Sequence, residues 1–161
     1  MAASDDLTLY ILMRKDMESL DHTGKLIAQG AHAANHAAES ISRNEFGPEV
    51  MMQFGLWQKQ TPQGFGTTVV LGGCLQRSVR SAGVLEGITI GDINQIVGHC
   101  RSIGIAAAII TDPSYPLLDG KTLHAFPCDT CAWVFGSKQS LEPVLWQFRL
   151  HPPTAMWSTS I

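Results

Sequence analysis

Apolar residues in this chain come in short runs separated by polar turns, and the length and composition of each run predict its secondary structure. The first run, LTLYILM at Leu7–Met13, is too short for a stable helix and is rich in large side chains, which favours a buried strand. Other runs rich in β-branched residues, alanine or aromatic residues predict three more strands. They are placed at residues 67–71, 105–110 and 131–135.

The segments between these runs favour helices. Thr23 can cap a helix whose commonest residue is alanine, and Thr89-x-x-Asp92 can form a capping arrangement for another helix. Ser140 is predicted to cap the last helix, with Pro143 in its first turn. The four predicted helices span residues 23–41, 48–59, 90–102 and 140–148.

This order of strands and helices predicts an α/β fold: a three-layer α/β/α domain around a four-stranded, mixed and partly parallel sheet. The 161 residues are expected to form a single domain, because no repeat or linker divides them. Residues 74–86 are predicted as a loop or short helix, and residues 113–129 as a long loop or irregular hairpin. The tails, residues 1–6 and 152–161, are predicted to be loosely held.

Two polar features stand where chemistry could be placed. In the alanine-rich helix, Lys25, Gln29, His32 and His36 fall within about 60° of one another at 100° per residue. This face is either an ordinary solvent face or a surface equipped for chemistry. Asp112 follows the predicted strand 105–110, where open α/β sheets place functional groups. The other side of the helix is predicted to pack on the sheet and holds residues 26, 27, 30, 31, 34 and 41.

Composition limits the classes of function. The net charge of −3 and the pI near 6 create no global positive field, so any contact with nucleic acid must be local. The N-terminus lacks a secretory pattern and no apolar run reaches the roughly 18 residues of a membrane span, so a soluble, cytoplasmic protein is predicted. The four cysteines are too scattered for a disulfide scaffold and are predicted to be reduced. Basic side chains available for a local contact are Arg14, Lys15, Lys25, Arg77, Arg80, Arg101, Lys138 and Arg149.

Several stretches of the chain resemble type 2 peptidyl-tRNA hydrolases. LYILMRKDM followed by TGKLIAQGAHAANHA is similar to the family's strand ending in Arg-x-Asp and its helix opening Gly-Lys-x-x-x-Gln-x-x-His-Ala. HCRSIGIAAAIITD is similar to a later helix, glycine, strand and aspartate, and the aspartate is Asp112. The ending FRLHP and the pair of Thr130 and Cys131 are more similar to the peptidyl-tRNA hydrolase domain-containing branch of the family.

The resemblance implies a homodimeric hydrolase that cleaves the ester between a peptide and the 3′ ribose of tRNA, without a metal or an organic cofactor. The residues that match the family's functional positions are Lys25, Gln29, His32, Asp112 and Thr130. Asp112 could orient or deprotonate water, and Lys25 could bind a phosphate or stabilise the oxyanion. Gln29 and Thr130 could orient the reactants. His32 is either a general base or a packing residue.

The chain also departs from the family pattern. PSYP follows Asp112 where the family usually reads Ala-Gly-x-Thr, so one expected hydroxyl is missing. The segment between Asp112 and the last strand is several residues longer than in the family, and so is the stretch 73–89. Three functions therefore stay open: peptidyl-tRNA hydrolysis, an enzyme for a different small amide, ester or biosynthetic intermediate, and a non-catalytic binding module.

A metal site is a further alternative. Cys128-Asp-Thr-Cys131 and His124 offer ligand types that suit zinc. A structural zinc site usually has four ligands, so Cys74 or Cys100 would have to complete the set. No dinucleotide-binding or phosphate-binding glycine pattern is present. The sequence thus predicts neither a metal nor an organic cofactor.

Overall fold

The computed structural model describes residues 6–17, 22–75 and 85–150, which form a six-stranded mixed sheet with helices on both faces. The strands are β1 (Leu7–Met13), β2 (Thr68–Leu75), β3 (Leu85–Gly87), β4 (Ala106–Asp119), β5 (Thr122–Ser137) and β6 (Phe148–Leu150). The helices are α1 (Thr23–Ser42), α2 (Pro48–Gln58), α3 (Ile90–Ser102) and α4 (Lys138–Leu145). The predicted α/β class is confirmed, but the sheet has six strands rather than four.

β1 lies in the middle of the sheet, whose strand order is β3-β2-β1-β5-β4, with β6 also paired to β2. β1 and β2 are parallel, and the other pairs among the described strands are antiparallel. All the residues of β1 are buried, as expected of a strand covered on both faces. Because β1 and β4 are each antiparallel to β5, they run in the same direction and reach the same edge of the sheet.

Alternation along the strands divides the core into two layers. Leu9 and Ile11 of β1 pack in the layer that holds α1 and α2, together with Phe54. Tyr10 and Leu12 point the other way and pack with residues of α3 and α4. Complete burial of one large apolar side chain contributes about 1.5–3 kcal/mol. Each layer buries several such side chains, so both layers stabilise the sheet.

α3 begins and ends as predicted. The Thr89 hydroxyl accepts a hydrogen bond from the Asp92 N–H at 3.2 Å, and the Asp92 carboxylate accepts one from the Thr89 N–H at 2.8 Å. This is a capping box. At the other end Gly104 has a φ of 81°, and the Ile105 N–H donates to the Cys100 carbonyl at 2.9 Å. This Schellman arrangement stops the helix.

The starts of α1 and α4 differ from the predictions. Thr23 is the first helical residue of α1 rather than its cap, and His22 occupies the N-cap position without a side-chain cap hydrogen bond among the described residues. α4 begins two residues earlier than predicted, because the Ser137 hydroxyl accepts a hydrogen bond from the Ser140 N–H at 3.2 Å. Ser140 is therefore not the cap, and Pro143 lies beyond the first turn. α4 also ends before residue 148, which belongs to β6.

The segment 113–129, predicted as a long loop or irregular hairpin, forms most of a hairpin arm, residues 112–128, built from the extensions of β4 and β5. The two strands stay paired as far as a turn at Gly120, whose φ is 60°. Their pairing shifts register on either side of Thr111 and Asp112. Such irregularities interrupt the alternation of apolar and polar residues, so the strands do not appear in the periodicity. β2 likewise continues through Gly72 and Gly73, where the prediction ended it.

α1 also turns a different face to the sheet from the predicted one. Ile27, expected to face the sheet, is 68% exposed, whereas Gln29 is 3% exposed. The residues of α1 that are buried against the sheet lie between the predicted polar face and the predicted apolar face. The polar face therefore lies along one side of the contact between α1 and the sheet. The buried residues of α1 are Gln29, Ala33, Ala37, Ser40 and Ile41.

Some sequence predictions concern residues outside the described ranges. This group contains Arg77 and Arg80, most of the predicted loop 74–86, residues 1–5 of the N-terminal tail, and the tail 152–161. The four cysteines all lie within the described ranges and are free, buried thiols. This agrees with the predicted reduced state.

Candidate functional site

The predicted site residues lie together at the edge of the sheet that β1 and β4 reach in the same direction. α1 starts above this edge and brings Lys25, Gln29 and His32 to it, while the sheet contributes Asp112 from β4 and Thr130 from β5. These five residues are called the site cluster. His32, Asp112 and Thr130 each contact the Gln29 side chain. Lys25 precedes Gln29 by one helical turn and contacts the hairpin arm.

Gln29 is the centre of the site cluster. Its Nε2 donates to Asp112 Oδ2 at 2.8 Å, and its Oε1 accepts from the Thr130 hydroxyl at 2.6 Å. Thr130 is fully buried, so this bond satisfies a hydroxyl that water does not reach. Because an ionised carboxylate can only accept hydrogen bonds, Asp112 fixes which end of the Gln29 amide faces it. The bridge therefore holds helix and sheet in one register.

His32 lies at the outer margin of the site cluster. Its Nδ1 is 3.4 Å from the Gln29 Oε1. An amide oxygen is an acceptor, so this contact is a hydrogen bond when Nδ1 carries the proton. In a neutral ring Nε2 then has a free lone pair. The residue is exposed, so this margin of the site cluster faces solvent.

Lys25 lies in the first turn of α1, where its ammonium meets the arm. Its Nζ donates to the Pro116 carbonyl at 2.8 Å and lies 4.9 Å from the centre of the Tyr115 ring. The first turn of α1 contains no acidic residue. Since the amides at a helix N-terminus also favour negative charge, this end of the site cluster suits an anionic or carbonyl oxygen.

Asp112 does not follow the end of a strand, as predicted, but lies at the irregular point of β4 where the arm begins. Its Oδ2 faces Gln29, and its Oδ1 accepts a hydrogen bond from the Ser114 N–H at 3.0 Å. The side chain is half-buried. Two donors thus fix the direction of the carboxylate, and its remaining lone pairs are available to a water or a substrate.

An ionic network below the site cluster was not expected from the sequence. Arg14 pairs with Asp16 and donates to the Asp129 carbonyl at 2.8 Å. Asp16 also accepts the Ile90 N–H, the first of α3, at 3.2 Å, and the Asp129 carboxylate accepts the Thr111 hydroxyl at 2.5 Å. The network ties the end of β1 to α3 and to β5. Its only sequence signal is the Arg-x-Asp of the first family motif.

His36 belongs to the predicted polar face but not to the site cluster. Its Nδ1 accepts a hydrogen bond from the Trp133 indole N–H at 3.1 Å, and the Ser40 hydroxyl lies 3.3 Å from the same nitrogen. A tryptophan N–H can only donate, so the His36 ring proton is on Nε2. This histidine packs the helix on the sheet.

The cysteines do not favour the metal alternative. Within the described ranges, no three His, Cys, Asp or Glu side chains are placed to hold a metal ion. Cys131 donates to the Gln29 carbonyl at 3.5 Å, and Cys128 contacts the Met17 sulfur at 3.6 Å. Burial raises the pKa of the Cys131 thiol to about 12, which opposes formation of the thiolate that binds metals.

Comparison with known proteins adds no family assignment. No protein-family model matches the sequence, and no curated protein matches it. A separate observation concerns membranes: none of the helices in the described ranges is long and apolar enough to cross one. The function must therefore be inferred from the chemistry of the site cluster and from the motifs that carry the family resemblance.

Proposed function

We propose that this protein hydrolyses the ester between a peptidyl, or N-blocked aminoacyl, group and tRNA. The observation that supports it is the Gln29 bridge, which joins the Asp112 carboxylate to the Thr130 hydroxyl at 2.8 and 2.6 Å. Lys25 lies one turn away on the same helix. A carboxylate, an amide, a hydroxyl and an ammonium are thus assembled at one edge of the sheet, and they are the groups that the resemblance implies for this reaction.

In the proposed reaction a water molecule attacks the ester carbonyl carbon. A new C–O bond forms to the water oxygen, and the bond from the carbonyl carbon to the 3′ oxygen of the ribose breaks. Asp112 orients the water through the lone pairs that Gln29 and Ser114 leave open. His32 accepts the water proton on Nε2 and returns a proton to the departing 3′ oxygen. No cofactor takes part.

Lys25 supplies the positive charge in this scheme. The attack places negative charge on the carbonyl oxygen, and a nearby ammonium stabilises it more in the transition state than in the substrate. The phosphate next to the terminal ribose is a second anionic group within the same substrate. Neither interaction needs a global positive field, which agrees with the net charge of −3.

Turnover of an N-acetylaminoacyl-tRNA tests the proposal. Lys25→Ala and Asp112→Asn are each expected to lower kcat/KM by about 100-fold or more, because each removes a charged group that acts at the reacting ester. Matched controls are Lys59→Ala and Asp119→Asn, which change exposed side chains elsewhere. Turnover by the wild type that survives both site variants would contradict the assigned roles.

A second candidate function is hydrolysis of a smaller ester or amide on the same scaffold. It is favoured by the three carboxylates around the site, Asp16, Asp112 and Asp129, because their negative charge opposes a polyanion. Gel retardation of tRNA at low salt separates the two functions, because phosphate contacts are strongest there. Binding supports tRNA, whereas no binding together with turnover of an N-acyl amino acid ester supports the small substrate.

The proposal also includes a homodimer and a cytoplasmic location, which are the assembly and compartment expected for this reaction. Sedimentation equilibrium measures the first, with a mass near 35 kDa expected from twice the 17.5 kDa chain. Fractionation of cells followed by immunodetection measures the second. Recovery of the chain as a monomer would contradict the proposed assembly without affecting the chemistry of the site cluster.

A further inference from the structure

The arm reaches back over the start of α1 and contacts the Lys25 ammonium with two consecutive residues. The Pro116 carbonyl accepts a hydrogen bond from Nζ at 2.8 Å, and the face of the Tyr115 ring lies 4.9 Å from Nζ. Both residues belong to PSYP, the segment in which the chain departs from the family pattern. The contact is thus a property of this chain rather than of the motif that contains Lys25.

The arm is well anchored at this point. Tyr115 is fully buried and pairs across the arm with Phe126. It packs with the buried Cys128 and with the partly buried Met17. One residue earlier, the Ser114 N–H is held by the Asp112 carboxylate at 3.0 Å. A shift of Tyr115 away from Lys25 would therefore expose a large aromatic side chain to water.

These contacts restrict the lysine. An ammonium has three N–H donors on a flexible four-carbon chain, and an unrestrained lysine samples many rotamers. The Pro116 carbonyl takes one donor, and the negative face of the Tyr115 ring attracts the charge from another side. At least one N–H is left for a substrate oxygen. The ammonium is thus fixed before the substrate arrives.

We propose that Tyr115 and Pro116 are positioning residues that hold Lys25 in its working geometry, so that the lysine presents its ammonium to one substrate oxygen. The consequence for turnover rests on the proposed hydrolase function, but the positioning itself can be measured without a substrate. Preorganised charge acts on the transition state, so loss of positioning lowers kcat more than it raises KM.

NMR of protein labelled with ¹³C-lysine measures the positioning directly. Protons above an aromatic ring resonate upfield, so the Lys25 ε-methylene signal, assigned by its absence in Lys25→Arg, is expected upfield of the other lysine signals. Tyr115→Phe keeps the ring and should keep the shift, whereas Tyr115→Leu should abolish it. A Lys25 signal at the ordinary lysine position in the wild type would overturn the proposal, even if Tyr115→Leu fails to fold.

Kinetics with N-acetylaminoacyl-tRNA measure the consequence. Tyr115→Leu is expected to lower kcat by about 5- to 10-fold, the range that a cation–π contact supports, with KM changed less. Tyr115→Phe should retain kcat within about twofold, because it retains the ring face. Cys128→Ala is the control, since it loosens the packing around Tyr115 without touching Lys25. An equal loss in Cys128→Ala, or a faster Tyr115→Leu variant, would overturn the proposal.

The two measurements separate this inference from the proposed function. A shifted Lys25 signal in a protein that does not hydrolyse the tRNA ester supports the positioning and contradicts the proposed substrate. An ordinary Lys25 signal in a protein that does hydrolyse it contradicts the positioning and leaves the substrate supported.

Discussion

The two halves of the polar face of α1 differ although the sequence gives them the same spacing. The first half carries Lys25, Gln29 and His32 and meets polar groups of the sheet and the arm. The second half carries His36, which meets the indole of a buried tryptophan and lies beside Ser40 of the next turn. One helix face is thus a candidate site at its start and a packing surface towards its end.

The two histidines show the difference most clearly. At His32 the neighbour is the Gln29 amide oxygen, an acceptor, so Nδ1 has to donate. At His36 the neighbour is the Trp133 indole N–H, a donor, so Nδ1 has to accept. The free lone pair of the neutral ring therefore lies on opposite nitrogens. At His32 it lies on Nε2, the nitrogen that the proposed reaction uses, whereas at His36 it lies on Nδ1 and accepts the Trp133 N–H.

The residues across the interface therefore decide what each half of the helix face does. Helical periodicity places side chains on a common face, but it does not identify the atoms that face them. Asp112 and Thr130 oppose the first half, and Trp133 opposes the second. These partners come from β4 and β5, between 83 and 101 residues further along the chain.

Replacing the central side chain of each half should give the largest contrast. Gln29→Leu leaves the buried Thr130 hydroxyl and the Asp112 carboxylate without their shared partner. It is expected to lower kcat/KM by about 100-fold and the free energy of unfolding by about 1–3 kcal/mol. His36→Leu, the matched change in the second half, should keep kcat/KM within a few-fold. Turnover of N-acetylaminoacyl-tRNA and urea unfolding measure both.

Either of two results would break the comparison. If His36→Leu lost as much turnover as Gln29→Leu, the two halves would act as one surface. If Gln29→Leu lost stability but kept kcat/KM, the bridge would be structural and Asp112 would not depend on it. A circular dichroism spectrum close to that of the wild type is the control that both variants are folded.

A smaller effect is expected from the hydrogen bond that defines the packing half. Trp133→Phe keeps an aromatic ring in the core but removes the N–H that His36 accepts at 3.1 Å. The lost hydrogen bond should lower the free energy of unfolding by about 1 kcal/mol, and the smaller ring adds the cost of the cavity it leaves at this fully buried position, with kcat/KM unchanged.

A double-mutant cycle with His36→Ala isolates the pair. A coupling energy near zero would mean that the bond adds nothing to stability, and a large loss of turnover would place Trp133 in the site. Unfolding in urea, followed by circular dichroism at 222 nm, gives all four free energies of the cycle under the same conditions.

The parts of the fold that were predicted correctly depend on local signals. The capping box at Thr89 and Asp92 and the glycine at position 104 fixed the ends of α3, because each acts within a few residues. The arm was predicted only as a long loop or irregular hairpin, because register shifts around Asp112 interrupt the alternation and the prolines at positions 113, 116 and 127 interrupt the sequence signal. Phe148, the first residue of β6, was predicted as the end of a helix, because the pairing of β6 with β2 is not a local property.

The site divides in the same way. The motif residues of α1 were predicted as site residues together with Asp112 and Thr130, because the spacing of these residues in the sequence carries the resemblance. The structure places all of them at one edge of the sheet. Tyr115 could not be predicted as a partner of Lys25, since their contact depends on how the arm folds back. The inward rotation of Gln29 was missed as well, because polar residues on a helix are normally assigned to the solvent side.

The smallest expected effect concerns Cys131, which lies under the first half of the helix face and donates to the Gln29 carbonyl. Burial raises the pKa of its thiol from 9.0 to about 12. A raised pKa in the folded state means that the stabilising effect is complete below pH 9 and is lost as the pH rises towards 12. Relative to Cys131→Ala, the wild type should therefore lose on the order of 1 kcal/mol between pH 7 and pH 9.5.

Urea unfolding of both proteins at the two pH values measures this loss, and the difference between them removes the contributions of other titrating groups. The folded wild type should also resist iodoacetamide at pH 8, because the thiolate is the reactive form and burial opposes it. Rapid alkylation of Cys131 without unfolding would show that water reaches the layer beneath Gln29. The Gln29 bridge would then not be buried, and the contrast between the two halves of α1 would lose its structural basis.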